Sequence, residues 1–446
     1  MAQKTLHIGI DDTDSTTRGC TTYVAALLVE KLLKLHASFI DYPNLIRLNP
    51  NVPWKTRGNG ALCLRILYDE SDEAKIKETV ISSVEQQSDL EHRGTDPGIV
   101  FLGRTNPPIE VQTFARNATT GVVALKDAIR LVKKFRGEAF GFKNGRGIIG
   151  ALAAIGETLR SDHTYEIIFY REPKNRGTKR RVDQQSIFEM DAATRPYTFN
   201  NVDTEKKRVI ITPRGPDPIL FGIRGESAET VKRACGIVKI LEPAERWVIF
   251  RTNQGTDSHL RNVKKLKEIE PYSPAVATGT ISAAPRMIRG RHLIFRIKDE
   301  TSEVDCAAYE PTGYLRTIVK KLIPGDRVKV FGGVRPPSHD TPMTVNLEKL
   351  KLLKLTPLFI YHNPICTKCG RRLKSMGTNK GFRCDKCGSR YTSRTKVKVK
   401  LEREVRKGLY ITSARSQRHL TKPAVRYGME KRSGQIDPII EQWHFP

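Results

Sequence analysis

The sequence predicts a multidomain protein of mixed α/β and α+β architecture, followed by a small β-barrel and a zinc ribbon. Three observations predict this arrangement. Strands and helices alternate to about residue 260, short strands follow from 272 to about 356, and two cysteine pairs come next. A chain of 446 residues is long enough for about three or four such domains.

The first predicted strand and helix enclose a cluster of carboxylates. The apolar run Leu6–Ile10 predicts a buried strand, and the apolar periodicity of Tyr23–Leu35 predicts a helix. Asp11, Asp12 and Asp14 follow the strand directly. Carboxylates this close repel one another unless a cation neutralises them, and oxygen ligands suit Mg²⁺.

Small and hydroxyl residues stand where this helix is predicted to begin, namely Gly19, Thr21 and Thr22. The N–H groups and positive dipole of a helix N-terminus favour a bound phosphate. Magnesium ligands beside a phosphate site indicate nucleotide chemistry. The alternative is an acidic turn in which Asp14 or Ser15 only caps the helix.

The alternation continues to about residue 113. Strands are predicted at Leu45–Leu48 and Ala61–Leu67, and a helix at about residues 71–87. The intervening loop is basic and glycine-rich, and its Lys55 and Arg57 could reach the phosphates of a nucleotide or of RNA. An ordinary turn with solvated cations is equally compatible with this spacing.

A second glycine-rich segment spans residues 141–156 and precedes a predicted strand at Tyr165–Tyr170. Small residues permit a close backbone approach to a ligand, and equally permit tight helix–sheet packing. Acidic residues near this strand could hold a small cation, although most such groups are solvated: Asp162, Glu166, Asp183, Glu189, Asp191 and Asp203. The next strand, helix and strand, within residues 219–252, could rejoin the first sheet.

The region from 272 to about 356 predicts a small β-barrel. Three strands within residues 275–309 precede a short helix at Thr312–Leu322. The turn Pro324-Gly325-Asp326 then leads into two further strands within residues 327–352. This order matches the OB-fold, a scaffold that often binds nucleic acid.

The cysteine pattern Cys366-x2-Cys369-x14-Cys384-x2-Cys387 is a specific metal signal. Each Cys-x-x-Cys pair supplies two thiolates, and two pairs close a tetrahedron around Zn²⁺. Redox-active dithiols are the alternative. Because all four ligands would be protein groups, we expect this zinc to be structural.

The charge balance points to a polyanionic partner. The chain has 77 Lys and Arg against 48 Asp and Glu, and residues 366–446 alone have 21 against 6. Such an excess attracts nucleic acid. No apolar run approaches the roughly 20 residues of a membrane span, and the first strand begins without a signal peptide. The unpaired cysteines fit a reducing compartment, so we expect a cytoplasmic protein without a membrane partner.

In this order, the segments resemble those of the tRNA(Ile) 2-agmatinylcytidine synthetases, an archaeal family that modifies the wobble cytidine of the isoleucine tRNA with anticodon CAU. The resemblance covers essentially the whole chain. It rests on the Cys366 and Gly145–Gly156 segments and on these stretches: Gly9-Ile10-Asp11-Asp12-Thr13-Asp14-Ser15, Cys20-Thr21-Thr22-Tyr23, Ile46-Arg47-Leu48-Asn49-Pro50, Lys55-Thr56-Arg57-Gly58-Asn59-Gly60, Gly222-Ile223-Arg224-Gly225-Glu226-Ser227 and Asn363-Pro364-Ile365-Cys366.

The resemblance implies a domain order. We expect a kinase-like ATP-binding domain at residues 1–113, which residues 231–271 could rejoin, and a ferredoxin-like domain at 114–230. An OB-fold is then expected at 272–358, a zinc ribbon at 359–392 and a basic C-terminal tail at 393–446. The sequence has no signal for an oligomeric state.

The resemblance also implies a reaction. ATP phosphorylates the C2 oxygen of the cytidine, and the primary amine of agmatine displaces that oxygen, with AMP and pyrophosphate formed overall. Thr21 corresponds to a threonine that is itself phosphorylated in the family, and the three aspartates to the ATP–Mg²⁺ carboxylates. We expect the remaining contacts to ATP phosphates from Gly19, Cys20, Thr22, Lys55 and Arg57, and those to agmatine from Gly147, Gly150, Glu166 and Asp203.

Two other functions are compatible with parts of the sequence. One is a different ATP-dependent RNA kinase or hydrolase, which would leave ADP and phosphate. The other is a non-catalytic nucleic-acid binder built on the barrel and the ribbon. The aspartate cluster argues against the second, because a pure binder of polyanions gains nothing from carboxylates beside its phosphate site.

Overall fold

The computed structural model describes residues 3–56, 58–432, 434 and 437–446. Arg57, one of the predicted phosphate-binding residues, lies outside the described residues. Among the helices that are described, none combines the length and the apolar character that crossing a membrane requires.

The described residues up to about 260 form a large mixed β-sheet with helices on both faces, and β9 and β10 pair separately beside it. The strands are β1 (Gln3–Asp11), β2 (Ser38–Phe39), β3 (Asn44–Arg47), β4 (Gly60–Asp69), β5 (Gly98–Leu102), β6 (Glu138–Gly141), β7 (Thr164–Arg171), β8 (Thr198–Phe199), β9 (Val202–Asp203), β10 (Arg208–Val209), β11 (Ile219–Gly225) and β12 (Ala244–Thr252). The helices are α1 (Thr21–Lys34), α2 (Glu73–Gln87), α3 (Ile109–Thr120), α4 (Leu125–Lys134), α5 (Gly147–Gly156), α6 (Gln184–Thr194) and α7 (Ala228–Cys235).

One sheet spans both halves of this region. Through the described residues its main order is β6-β5-β1-β4-β3-β12-β7-β11-β8. Strand β12 pairs in parallel with β3, where Arg251 stands opposite Asn44, and antiparallel with β7. Residues 244–252 therefore share a sheet with the N-terminal strands. The expected boundary at residue 113 falls inside the continuous helix α3.

The two faces of β1 pack against different helices. Leu6, Ile8 and Ile10 belong to the core that contains α1 and α2, as the two-residue period of a strand requires. On the opposite face, a Cβ at Gly9 would lie 2.1 Å from the carbonyl oxygen of Ala151 in α5. The backbone of α5 thus contacts the sheet directly, and this packing brings the N-terminal end of α5 next to the end of β1.

Residues 274–354 form a closed β-barrel. Its elements are β13 (Pro274–Ile288), β14 (His292–Lys298), β15 (Glu303–Ala308), α8 (Tyr314–Lys320), β16 (Arg327–Arg335) and β17 (Thr344–Lys354). The described strands pair in the order β15-β14-β13-β16-β17, and a parallel pairing of β15 with β17 closes the barrel. The predicted strands and helix are all present here, with ends that differ by a few residues.

The C-terminal part contains a hairpin, the cysteine segment and two strands that return to the other units. They are β18 (Leu358–His362), β19 (Lys374–Ser375), β20 (Phe382–Arg383), β21 (Arg390–Tyr391), β22 (Val397–Leu401), β23 (Gly408–Ile411) and β24 (His444–Phe445). Strand β22 pairs with β18, while β19, β20 and β21 form a small sheet around the cysteines.

Within residues 408–446, which the sequence predicted as part of a basic tail, the described residues include strands and side chains that pack against the rest of the molecule. Strand β23 pairs with barrel strand β17, and β24 pairs with β12 of the large sheet. Arg426 is fully buried, and Trp443 belongs to the main core. The segment therefore differs from a solvated tail, because its apolar and paired charged side chains are buried in contact with both units. We call residues 408–446 the C-terminal segment.

Candidate active site

A cleft of about 300 Å³ lies where β1 and β3 end and β4 begins. The β1–α1 loop, the 51–60 loop, the start of α5 and the C-terminal segment all contribute to its walls. Residues that are far apart in the sequence thus share one cavity. The predicted site residues that line it are Asp11, Asp12, Asp14, Cys20, Thr21, Thr22, Lys55, Gly147 and Gly150.

The backbone changes direction sharply after β1, and this turn orients the carboxylate of Asp12. Asp12 has a φ of +60°, a left-handed conformation that Asp tolerates better than most residues. Its Oδ2 accepts hydrogen bonds from Arg146 Nη2 at 2.9 Å and from the Asp96 backbone N–H at 3.3 Å. Burial raises the pKa of Asp12, and the guanidinium of Arg146 opposes that rise.

The electrostatics around Asp11 favour a bound cation. Burial first, and then the charge of Asp12, raise the pKa of Asp11 well above its ordinary value, and Asp14 adds to the rise. Oδ1 of the adjacent Asp96 is buried and has no hydrogen-bond partner among the described residues. A set of crowded carboxylate oxygens fits a hard divalent cation such as Mg²⁺, which would remove the repulsion between them.

The first turn of α1 lies at the cleft. The helix begins at Thr21, two residues before the predicted start, and in the described structure no side chain caps it. The hydroxyl of Ser15 instead accepts from the N–H groups of Thr17 and Arg18 within the loop. The alternative in which Ser15 caps this helix is therefore wrong. A helix N-terminus that lines a cavity is a favourable place for an anionic group.

The hydroxyl of Thr21 lies among other hydroxyl and thiol groups at the N-terminus of α1. Thr13 Oγ1 donates a hydrogen bond to Thr21 Oγ1 at 3.1 Å, and Cys20 Sγ and Thr22 Oγ1 are also 3.1 Å apart. Gly19 does not line the cleft. With a φ of +79°, it forms the tight turn before α1, where a Cβ would lie 2.8 Å from the carbonyl oxygen of Thr13.

Two of the residues predicted to contact agmatine lie outside the cleft. Glu166 is buried in β7, where Arg224 Nε donates to its Oε1 at 3.0 Å and Gln254 Nε2 to its Oε2 at 2.5 Å. Asp203 accepts from Arg415 Nη1 at 2.7 Å and caps a turn. Protein groups thus already bind both oxygens of Glu166, and Arg415 pairs with Asp203; neither residue lines the cleft with Gly147 and Gly150.

The sequence analysis did not assign several residues that line the cleft. Arg47 lies at the end of β3, and burial lowers its pKa to about 10. His419 enters from the C-terminal segment, and Trp54 lines the cleft with 54% of its surface exposed. Arg47 and Arg146 lie in or beside the segments of the family resemblance. His419 could not be found this way, because the chain passes through the barrel and the ribbon before it returns.

The four cysteines of the ribbon form a separate site. Their Sγ atoms all lie within 4.8 Å of one another. The two pairs have the same geometry, since Gly370 N–H donates to the Cys366 carbonyl at 2.9 Å and Gly388 N–H to the Cys384 carbonyl at 2.9 Å. Four sulfurs at this separation fit a tetrahedral Zn²⁺ with Zn–S distances of about 2.3 Å.

Comparisons with known proteins identify the family. A TiaS TCKD domain model matches residues 7–144, a TiaS FLD domain model residues 145–259 and a TiaS C-terminal zinc ribbon domain model residues 363–405. The isoleucine tRNA 2-agmatinylcytidine synthetase TiaS of Methanosarcina mazei is 41% identical over 97% of this chain and 99% of its own. The chain belongs to the TiaS family. The TiaS protein of Pyrococcus horikoshii is 44% identical over 94% of this chain and 97% of its own.

Solved TiaS structures share the fold of the whole chain. A crystal structure of TiaS in complex with its isoleucine tRNA and ATP matches with a TM-score of 0.86 and 37% identity, covering 95% of this chain and 97% of that chain. A complex of TiaS with the same tRNA, AMPCPP and agmatine matches with a TM-score of 0.83 and 35% identity over the same shares.

Proposed function

We propose that this protein joins agmatine to C2 of the wobble cytidine of tRNA(Ile) with anticodon CAU, using ATP. Its curated relatives, which match it over nearly their full length, bear the name of an isoleucine tRNA 2-agmatinylcytidine synthetase. Similar structures hold the isoleucine tRNA with ATP or with an ATP analogue and agmatine. The enzyme is thus an ATP-dependent ligase that forms a C–N bond on a tRNA.

The observation that carries this proposal is the single cleft shared by three carboxylates and a helix N-terminus. Asp11, Asp12 and Asp14 line it together with Thr21 and Thr22 of α1. Phosphoryl transfer requires positioning and neutralisation of the phosphate charges more than covalent assistance. The carboxylates, through a bound cation, and the N-terminus of α1 would supply this neutralisation and positioning, which supports nucleotide chemistry in the cleft.

We assign the ATP side of the cleft to its acidic edge. Asp11, Asp12 and Asp14 would hold Mg²⁺, which neutralises phosphate charge when bound. The first turn of α1 and Lys55 would bind phosphate oxygens. The Thr21 hydroxyl, beside the carboxylates, is our candidate for the phosphorylated threonine. Arg146 holds Asp12 in place through its 2.9 Å contact.

The second substrate side would lie along α5. Gly147 and Gly150 line the cleft with their backbone, because protein atoms of Gly98 and Asp11 already fill the space beside them, and the slender alkyl chain of agmatine would lie along this backbone. Once ATP has activated the C2 oxygen of the flipped cytidine, the amine of agmatine attacks C2 and loses a proton, and the C2–O bond breaks with the oxygen leaving on the phosphorus group that ATP supplied; overall, ATP becomes AMP and pyrophosphate. A target base must leave its stack before such an atom can be reached.

We propose the finer domain identities on the same grounds. The parallel closure of β15 on β17 and the helix between them support an OB-fold in the barrel. The helix-covered sheet with its carboxylate cleft supports a kinase-like domain that extends beyond α3, as the match to residues 7–144 also indicates, with β12 pairing with its strand β3 and a ferredoxin-like unit following it. A tRNA substrate implies the cytoplasm as location.

The decisive experiment measures the mass of the wobble nucleoside. The protein is incubated with ATP, agmatine and a tRNA(Ile) transcript with anticodon CAU, and a transcript with a G at the wobble position is the control. Agmatidine should form only in the first transcript and only with agmatine, together with AMP. Formation of ADP without a modified nucleoside would instead indicate a simple RNA kinase or hydrolase.

A further inference from the structure

We propose that His419 is a binding residue of the cleft, whose neutral imidazole donates a hydrogen bond from Nε2 to a phosphate or carbonyl oxygen of the bound substrates. This inference rests on the proposed function and deepens it. His419 belongs to the C-terminal segment, yet it lines the cleft together with the three aspartates.

The tautomer of His419 follows from its partner. Arg224 Nη2 lies 2.9 Å from His419 Nδ1. A guanidinium can only donate, so Nδ1 must accept and the ring proton of the neutral imidazole must be on Nε2. Nε2 is directed toward the 51–60 loop, because a Cβ at Gly58 would lie 2.9 Å from it. The cleft therefore receives an N–H donor at this point.

The imidazole remains neutral because of the charges around it. Burial and the nearby guanidinium groups of Arg47 and Arg224 lower the pKa of His419 well below its ordinary value. Glu166 stands behind Arg224 as the nearest carboxylate of this network and accepts from Arg224 Nε at 3.0 Å. Because Arg224 occupies Nδ1 and the proton is on Nε2, the side of the ring toward the 51–60 loop offers a donor and no acceptor.

A buried network holds this donor in position. Arg47 Nε donates to Gln254 Oε1 at 3.2 Å, Gln254 donates to Glu166, and Glu166 accepts from Arg224, which binds His419. The backbone is fixed as well, since Gly255 N–H donates to the His419 carbonyl at 2.8 Å. A donor held in this way is preorganised and loses little entropy when a substrate oxygen arrives.

The position next to Arg47 indicates the chemistry of the ligand. An N–H donor beside a guanidinium suits an oxygen atom that bears negative charge, either on a nucleotide phosphate or on the C2 oxygen of the target cytidine. The cationic ends of agmatine are excluded here by like charge. Two measurements separate the two sources of that oxygen, namely ATP–Mg²⁺ affinity without tRNA, and single-turnover cytidine modification at saturating ATP.

The test compares His419→Phe, which keeps the ring but loses both nitrogens, with His419→Gln, whose amide can donate near the Nε2 position. His36→Asn at the exposed end of α1 is the control. We expect His419→Phe to lose about 10- to 100-fold in ATP affinity if the oxygen is a phosphate, or in modification rate alone if it is the cytidine oxygen. His419→Gln should recover most of the loss, with unfolding temperature unchanged.

A second readout does not depend on activity. In ¹⁵N-labelled wild-type protein, the imidazole signals that disappear in His419→Gln should show an Nε2–H tautomer that stays neutral from pH 5.5 to 8. Three results would overturn the inference. The first is an equal loss of ATP affinity or modification rate in the Phe and Gln variants together with a lower unfolding temperature. The others are wild-type behaviour of His419→Phe, or a ring that is protonated in this pH range. If wild-type protein leaves cytidine unmodified, the proposed function fails, while ATP affinity and the tautomer still test His419.

Discussion

Gly150 provides a way to move one carboxylate without removing it. A Cβ added at Gly150 would lie 1.8 Å from Oδ2 and 2.5 Å from Cγ of Asp11. Real Cβ contacts are not shorter than 3.0 Å, so Gly150→Ala requires the carboxylate to move by at least about 1 Å. A misplacement of about 1 Å at a reacting centre can reduce a rate about 100-fold. We therefore expect about a 100-fold loss of cytidine modification.

The same substitution should change stability much less. Overpacking a well-filled site costs about 1–3 kcal/mol, whereas replacing Gly by Ala in a helix gains about 1 kcal/mol. The free energy of unfolding should therefore fall by about 0–2 kcal/mol, and the protein should remain folded. The assay is single-turnover modification of the wobble cytidine, with thermal unfolding and ATP–Mg²⁺ affinity measured on the same preparations.

Gly156→Ala is the matched control at the other end of α5. A Cβ there would lie 2.2 Å from the Val111 carbonyl oxygen, far from the carboxylates. It should reproduce the destabilisation of Gly150→Ala, or exceed it, while folded protein retains its modification rate. If Gly150→Ala modifies cytidine and binds ATP–Mg²⁺ like the wild type, the position of Asp11 is not critical and the assignment of the carboxylates is refuted.

Four further outcomes follow from the structure. Thr21→Ala should stay folded and bind tRNA but lose modification, whereas Thr21→Ser keeps part of it; mass spectrometry of wild type with ATP should show phosphate at Thr21. We expect metal analysis to find one zinc in the wild type and none in Cys384→Ser. This variant should also lower tRNA affinity more than it lowers tRNA-independent ATP turnover. The folded-state pKa of Asp11 is raised, so its carboxylate destabilises the fold as pH rises above the ordinary carboxyl range. Asp11→Asn should therefore raise the unfolding temperature more at pH 7 than at pH 4, and it should abolish activity. Arg426→Met should lower the free energy of unfolding by about 3–5 kcal/mol in denaturant titrations, because it removes the guanidinium that pairs with Glu226 and leaves Asp162 with Lys422 as its ion-pair partner.

The sequence predicted the local elements well where their periodicity is strong. The helix expected at Tyr23–Leu35 is α1 at Thr21–Lys34, and the strand expected at Leu6–Ile10 is the centre of β1. Apolar residues at these spacings share one face only in the predicted helix or strand, so the element that buries them is the one that the pattern predicts. The short helices α3 and α4, by contrast, were not predicted.

Spatial relations between distant segments could not be obtained from local patterns. The glycine-rich segment left two interpretations open, a ligand site or tight packing, and the structure supports the geometry of both. Gly147 and Gly150 line the cleft, while Gly9 and Gly156 allow α5 to pack against β1 and α3. Glu166 has the residue type expected of a cation ligand, but its partners Arg224 and Gln254 become visible only in three dimensions.

The C-terminal segment shows most clearly why composition alone misleads. It has 6 Lys and Arg against 3 Asp and Glu, so most of the excess that predicted a phosphate-binding surface lies in residues 366–407. Within the C-terminal segment, charged side chains form ion pairs inside the molecule. Arg426 pairs with Asp162 and Glu226, and Lys349 of the barrel lies between Asp257 and the Lys422 carbonyl. A buried ion pair contributes little net stability but tolerates no missing partner.

These contacts join the barrel, the large sheet and the cleft through one short stretch of chain. Arg418 donates to the Pro50 carbonyl at 3.0 Å and to Asn51 Oδ1 at 2.8 Å at the start of the 51–60 loop, and the adjacent His419 lines the cleft. The neighbouring Thr421 donates to Glu348 of barrel strand β17 at 2.6 Å. Residues 418–421 therefore contact the barrel, the 51–60 loop and the cleft at once. The C-terminal segment thus connects the barrel and the large sheet to the cleft through its own contacts.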